Sequence, residues 1–100
     1  MLRTAADEIE RGLAEARLGG FLVKKRVARP GRGKRGGWRT IVAHRQGSRL
    51  IFLHGFAKNE TNNITEKERL ALLAIGDEYM GYTERTVSEL VAERLLLEVA

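Results

Sequence analysis

The chain has 100 residues, of which 43% are hydrophobic and 31% are charged, and its formal net charge is +5. This length and balance fit one folded domain with a single core and exclude a disordered chain. The absence of cysteine excludes a disulfide framework and a thiolate metal site. No apolar run reaches the roughly 20 residues of a membrane span, and no signal peptide is recognised, so we expect a cytoplasmic protein.

The first predicted element is a helix over residues 4–17. Thr4 is a suitable N-cap, and Gly19-Gly20 are expected to end the helix. Its apolar stripe at helical spacing consists of Ala6, Ile9, Leu13 and Ala16.

A strand is predicted next, over residues 21–27. Alternation of side chains places Lys24 and Arg26 together on the face opposite to Val23 and Val27. One face of this strand can therefore pack while the other presents cations.

The loop over residues 28–37 contains a Gly-x-Gly-x-x-Gly run that begins at Gly31. We reject a dinucleotide site here because the fingerprint must open a helix after a strand, whereas a strand-like run follows this one. We interpret the loop as a flexible cationic hairpin connection that moulds to a phosphate backbone.

Two further strands are predicted over residues 38–46 and 49–57, joined by a turn at Gly47-Ser48. Residues 51–53 are apolar on both faces, which predicts a central place in the sheet for the last strand. Alternation predicts that one of its faces carries Leu50, Phe52, His54 and Phe56.

The remaining predicted elements are two helices and a short strand. A helix over residues 66–79 begins with a capping box formed by Thr65 and Glu68. A second helix over residues 84–93 follows Thr83, and residues 95–99 are expected to form the final strand.

Charge is segregated along the chain. Residues 21–49 contain ten basic residues and no acid, whereas the other 71 residues contain 8 basic and 13 acidic residues. Self-repulsion within the basic segment costs stability, so a phosphate-bearing partner explains it better than a solvated face does. RNA is the favoured partner, and an acidic protein or a membrane surface remains an alternative.

Metal-free phosphoryl chemistry is the reaction that these residues favour. Lysine and arginine can stabilise the charge that develops when a ribose 2′-hydroxyl attacks its own phosphate, and a crowded lysine can serve as a base. His44 and His54 are candidates for acid–base work, but packing within strands is the commoner role for such histidines. Trp38 is expected either to stack on a base or to pack in the core. No metal and no cofactor are expected.

Three motifs occur together in this sequence. They are Lys-Lys-Arg at residues 24–26, Gly-Gly-Trp-Arg-Thr at 36–40 and Gly-Phe-Ala-Lys-Asn-Glu at 55–60, and the chain ends with Leu-Leu-Leu-Glu-Val at 95–99. In this combination the chain resembles the RelE/ParE superfamily of type II toxin–antitoxin toxins, in its HigB-like, phage-related branch. The resemblance covers nearly the whole chain, and residues 1–100 are expected to form a single, N-terminally short domain of this type.

The resemblance implies an α+β fold in which helices pack on a twisted antiparallel sheet of about three or four strands. It also implies a ribosome-dependent, metal-independent endoribonuclease that cleaves mRNA, with a cognate antitoxin of the helix-turn-helix type. The catalytic residues carried over from the motifs are Lys24, Lys25, Arg26, Arg39 and Lys58. The residues assigned to RNA binding are Arg29, Arg32, Lys34, Arg35, Trp38 and Arg45.

Two departures from the family pattern keep alternatives open. The usual N-terminal strand and helix are expected to be missing before residue 4, which would leave a sheet edge unpaired. A degenerate toxin that only binds antitoxin or RNA, a homodimer that shares a strand, and a ParE-like gyrase inhibitor are the alternatives. His44 and His54 replace bulky aromatic residues of the branch, which favours packing roles for both.

Overall fold

The computed structural model describes residues 2–28, 37–57 and 63–99, and within these ranges it contains three helices and one four-stranded sheet. The elements are α1 (Leu2–Glu10), β1 (Ala16–Gly19), β2 (Leu22–Val27), β3 (Trp38–Arg45), β4 (Arg49–Ala57), α2 (Glu66–Gly81) and α3 (Glu84–Ala92). The predicted α+β class and antiparallel sheet with packed helices are therefore confirmed. None of the described helices has the length and apolar character that a membrane crossing requires.

The sheet is antiparallel with the strand order β1-β2-β3-β4. The predicted central position of β4 is wrong, because β4 is the last strand of the sheet among the described residues. Its apolar run has another cause: Phe52 packs on one face of the sheet and Leu53 on the other. An edge strand that is covered on both faces needs apolar residues at successive positions, as a central strand does.

The helix predicted over residues 4–17 is shorter in the structure, and it begins before Thr4, which lies within α1 and is not its N-cap. Gly12 adopts a φ of 83°, a conformation that glycine tolerates best. The Gly12 N–H donates to the Ile9 carbonyl and the Leu13 N–H donates to the Glu8 carbonyl, both at 2.9 Å. These two bonds form a Schellman motif, which ends α1 seven residues earlier than predicted.

The segment after this helix end forms β1, which the sequence pattern did not predict. β1 folds back on β2 as a hairpin, with Gly19 opposite Leu22. Gly19 and Gly20 have φ values of 97° and 51°, so they turn the hairpin and do not cap a helix. A Cβ on Gly20 would lie 3.1 Å from Leu73, so this turn also packs tightly against α2.

The C-terminal helices begin as predicted and the last strand is absent. Thr65 and Glu68 form the capping box of α2, and the Thr83 hydroxyl accepts a hydrogen bond from the Thr86 N–H at the start of α3. Residues 95–99 form no strand; they follow a turn in which Arg94 has a φ of 60°.

Two apolar clusters hold the helices to opposite faces of the sheet. On one side, called the α2 face, Leu22, Ile41, Ala43 and Phe56 pack with Met80 of α2. On the other side, called the α1 face, Val23 and Val42 pack with Ile9 of α1. Every strand side chain can therefore be assigned to one of these two faces.

Candidate RNA-binding face

Three cations lie together on the α2 face, at the end of the sheet where β2 ends and β3 begins. Arg26 of β2 lies directly opposite Arg39 of β3, and Lys24 lies one row further along, opposite Ile41. Adjacent rows on one face are separated by about 7 Å along a strand. We call Lys24, Arg26 and Arg39 the cationic face; all three are half-buried. The predicted sharing of a face by Lys24 and Arg26 is confirmed.

No carboxylate within the described ranges forms an ion pair with the cationic face. Lys25, Arg49 and Arg69 each form an ion pair with a carboxylate, whereas no such pair involves Lys24, Arg26 or Arg39. The Nε atom of Arg26 is buried and has no hydrogen-bond partner. Like charges directly opposite each other on neighbouring strands are destabilising. The arrangement therefore fits an anionic ligand that would pair with all three groups.

His54 also lies on the α2 face, beside the cationic face. The alternation of residues in the sequence did not predict this position. It is opposite Ile41, in the row that also contains Lys24, and its side chain is exposed. Its ring centroid is 5.9 Å from that of Phe56. A bulge between Ile41 and Val42 shifts the pairing of β3 with β4. Simple alternation fails at that bulge, so Leu50 and Phe52 lie on the α1 face while His54 and Phe56 lie on the α2 face.

A carboxylate of α2, that of Glu68, interacts electrostatically with His54. The backbone N–H of Thr65 donates to Glu68 Oε1 at 2.8 Å, as part of the capping box. The hydrogen bonds with the Thr65 backbone and side chain lower the pKa of Glu68, burial opposes them, and electrostatic attraction to His54 adds to the lowering. The first turn of α2 thus contributes negative charge beside the imidazole.

Lys25 is not part of the cationic face, so the structure does not bring it together with the other residues predicted to be catalytic. It points to the α1 face and is buried, and its Nζ donates to the Leu13 carbonyl at 2.7 Å. The same atom lies 3.6 Å from Glu8 and 3.9 Å from Glu15. These contacts hold the segment between α1 and β1 against the sheet, so we assign Lys25 a structural role.

Arg45 and Trp38 are also separated from the cationic face. Arg45 shares the α2 face but lies about 20 Å from Arg39 along β3, and its Nη1 donates to the Met80 carbonyl at 3.0 Å. Trp38 lies on the α1 face, opposite Val27, and is 37% exposed. Their predicted RNA contacts therefore do not belong to the same site as Lys24 and Arg39.

The other predicted site residues lie outside the described part of the chain. These residues are Arg29, Arg32, Lys34, Arg35 and Lys58.

His44 lies away from the cationic face, on the α1 face. Its Nε2 is 2.9 Å from Oε1 of Glu10, and the side chain is 12% exposed. The hydrogen bond with His44, followed by one from the Gly47 N–H, lowers the pKa of Glu10. His44 therefore holds the end of α1 on the sheet, which agrees with the packing role favoured for it.

Comparison with models of protein families gives a match. The family model described as the RelE toxin of the RelE/RelB toxin–antitoxin system matches residues 1–99. No curated protein matches the chain. Because the match extends over nearly the whole sequence, the chain belongs to the RelE toxin family of toxin–antitoxin systems.

Proposed function

We propose that this toxin is an endoribonuclease that cleaves mRNA on the ribosome, with the cationic face around the scissile phosphate. The observation that carries the proposal is the opposed pair Arg26 and Arg39, beside Lys24 and without a carboxylate partner in the described ranges. Guanidinium groups suit this task because their planar donors match phosphate oxygens and they stay charged at any physiological pH.

The proposed reaction uses the RNA's own nucleophile. The ribose 2′-oxygen forms a bond to the neighbouring phosphorus and loses its proton, and the bond from phosphorus to the 5′-oxygen breaks. Lys24, Arg26 and Arg39 would neutralise the negative charge that accumulates on the phosphorane, which is the largest single contribution in many enzymes. The products are a 2′,3′-cyclic phosphate and a 5′-hydroxyl, and the positive charge comes from the protein without a metal ion.

We also propose a cognate antitoxin of the helix-turn-helix type as the protein partner. Membership in a toxin–antitoxin family supports a neutralising partner, and the helix-turn-helix type rests on the resemblance to the HigB-like branch.

The test measures cleavage of a defined mRNA on programmed ribosomes, with analysis of the product ends. The wild type is expected to leave a 2′,3′-cyclic phosphate, and a 2′-deoxy nucleotide at the cleaved position is expected to block the reaction. Arg39→Ala should lower the cleavage rate by about 10²–10³-fold, as loss of a transition-state donor does.

Arg17→Ala is the matched control. It removes the same charge from an exposed residue of β1 on the α1 face, and it should cleave at the wild-type rate. Intact mRNA together with tight antitoxin binding would replace the proposal with a non-catalytic toxin. Inhibition of DNA supercoiling would instead indicate a gyrase inhibitor.

A further inference from the structure

Among the described residues, one imidazole lies beside the cationic face. His54 is exposed on the α2 face, in the row of Lys24 and Ile41. Directly opposite residues on adjacent strands are about 5 Å apart, so Lys24 and His54 flank Ile41 on either side. A nucleotide whose phosphate contacts Lys24 would thus bring its ribose within reach of His54.

Cleavage by the 2′-hydroxyl requires a group that accepts a proton near neutral pH. Arg26 and Arg39 cannot do this because guanidinium groups remain protonated. Glu68 is already engaged by the Thr65 N–H at 2.8 Å. Imidazole is the side chain that changes charge between about pH 5 and pH 8, which suits both acceptance and later release of a proton.

We propose that His54 is the catalytic base of this toxin, and this inference rests on the proposed endoribonuclease function. The neutral imidazole accepts the 2′-hydroxyl proton as the 2′-oxygen bonds to phosphorus. The bond between phosphorus and the 5′-oxygen breaks, and the leaving oxygen takes a proton from the Lys24 ammonium. The imidazolium and the neutral amine then exchange protons with water, which restores both groups.

Glu68 acts in this scheme as a positioning residue. The groups around the imidazole are Lys24 from β2, Ile41 from β3, Phe56 from β4 and Glu68 from α2. The Glu68 carboxylate attracts the imidazolium that forms during proton transfer. Glu68→Gln keeps a capping-box side chain while it removes the charge, so it separates the electrostatic role from the folding role.

The first test is the pH dependence of single-turnover cleavage by wild type and His54→Ala. The wild-type rate should fall on the acidic side, where the imidazole is protonated. His54→Ala should be slower by about 10²–10⁴-fold and should lose that acidic limb. Added imidazole should raise the rate of His54→Ala in proportion to its concentration. Glu68→Gln should slow cleavage and keep the acidic limb, and unlike His54→Ala it should not respond to added imidazole.

The second histidine supplies the matched control. His44→Ala removes a structural imidazole from the α1 face, so its cleavage rate per folded molecule should not respond to added imidazole. Circular dichroism and ribosome binding confirm that both variants fold.

A 5′-thio leaving group tests which proton transfer involves His54. A sulfur leaving group departs without a proton, so it compensates for the loss of an acid but not for the loss of a base. It should therefore not restore cleavage by His54→Ala. Restored cleavage would overturn the assignment as base, and wild-type rates in His54→Ala would overturn any catalytic role while leaving the proposed function intact. If the wild type cleaves no mRNA, the proposed function and this inference both fail.

Discussion

Lys24 and Lys25 are neighbours in the chain but lie on opposite faces of β2. We predict that Lys25→Ala lowers the free energy of unfolding by about 1–3 kcal/mol, because its buried Nζ satisfies the Leu13 carbonyl and two carboxylates. Lys24→Ala should change stability by less than about 0.5 kcal/mol, since it removes no contact of this kind. Urea unfolding of the two variants measures the difference.

The two lysine variants should affect mRNA cleavage in the opposite order to their effects on stability. Per folded molecule, Lys25→Ala should cleave mRNA at the wild-type rate while Lys24→Ala loses activity. A stable but inactive Lys25→Ala would restore Lys25 to the catalytic set and contradict our assignment of the two faces.

Glu10 links the end of α1 to β3 and makes stability sensitive to acid. Its pKa is held below the ordinary value of 4.5, mainly by the hydrogen bond with His44. A depressed carboxyl pKa contributes stability that is present above the unfolded value and is lost as the pH falls through the folded value. We therefore expect the protein to lose stability below about pH 4.5, and Glu10→Gln to lose less over the same range than the wild type does.

Thermal unfolding between neutral and acidic pH, for wild type and Glu10→Gln, checks this expectation. Glu66→Gln is a useful comparison because the pKa of Glu66 is also lowered, chiefly by its hydrogen bond with Arg69. Parallel pH curves for wild type and Glu10→Gln would mean that the His44 contact does not stabilise the fold.

Residue periodicity predicts which side chains share a face as long as the pairing stays regular. It grouped Lys24 with Arg26 correctly, because β2 and β3 pair without interruption. It misplaced His54, because the bulge opposite β3 shifts the register by one residue and no local pattern marks it. The shared face of Lys24 and Arg26 could therefore be predicted from the sequence, whereas the position of the His54 imidazole beside them could not.

At the scale of elements, Arg94 at the C-terminus of α3 has a strained backbone conformation, and a substitution can relieve this strain. The Arg94 N–H donates to the Val91 carbonyl at 3.1 Å and the Leu95 N–H donates to the Leu90 carbonyl at 2.9 Å. This Schellman motif places Arg94 at a φ of 60°, where glycine is favoured. We predict that Arg94→Gly raises the free energy of unfolding by about 1 kcal/mol.

Arg94→Ala is the control, since alanine keeps the Cβ that opposes a positive φ. It should show no such gain in urea unfolding. Equal stabilisation by both variants would mean that removal of charge, and not backbone relief, is responsible.

Local chemistry predicted the starts of the two C-terminal helices, but it predicted neither the start nor the end of α1. The hydroxyl caps Thr65 and Thr83 begin α2 and α3 as expected, because each satisfies backbone N–H groups within its own turn. A glycine in the sequence can indicate either a helix end or a hairpin turn. Gly12 ends α1, whereas Gly19 and Gly20 turn the β1–β2 hairpin, although they were expected to end the helix. Whether a glycine ends a helix or turns a hairpin depends on which strands pair, and so does the position of β4 in the sheet. The local sequence pattern does not specify that pairing.

Over the whole molecule, the cations of the basic segment are divided between structure and surface. The described cations that hold the fold are Lys25, Arg45 and Arg49. Arg49 is the clearest case, because its guanidinium is buried and donates to the Tyr79 and Tyr82 carbonyls at 2.6 and 2.8 Å. A count of charges along the sequence therefore overstates how many of these cations can contact RNA.

This division predicts the salt dependence of RNA binding. Each neutralised phosphate of a single strand contributes about −0.7 to the slope of log K against log salt. Arg39→Ala should reduce the magnitude of the slope by about 0.7, which corresponds to the loss of one phosphate contact. Lys25→Met, which removes a buried structural charge, should leave the slope unchanged. Fluorescence anisotropy with a 2′-O-methyl RNA over a series of KCl concentrations measures both slopes without cleavage.

The pair of variants makes the result decisive because each loses one positive charge and the two residues lie on opposite faces. If net charge alone governed affinity, both slopes would fall together. If the cationic face contacts the phosphates, only Arg39→Ala changes the slope. A wild-type slope near zero would contradict phosphate binding and, with it, the proposed reason for three cations on one face of the sheet.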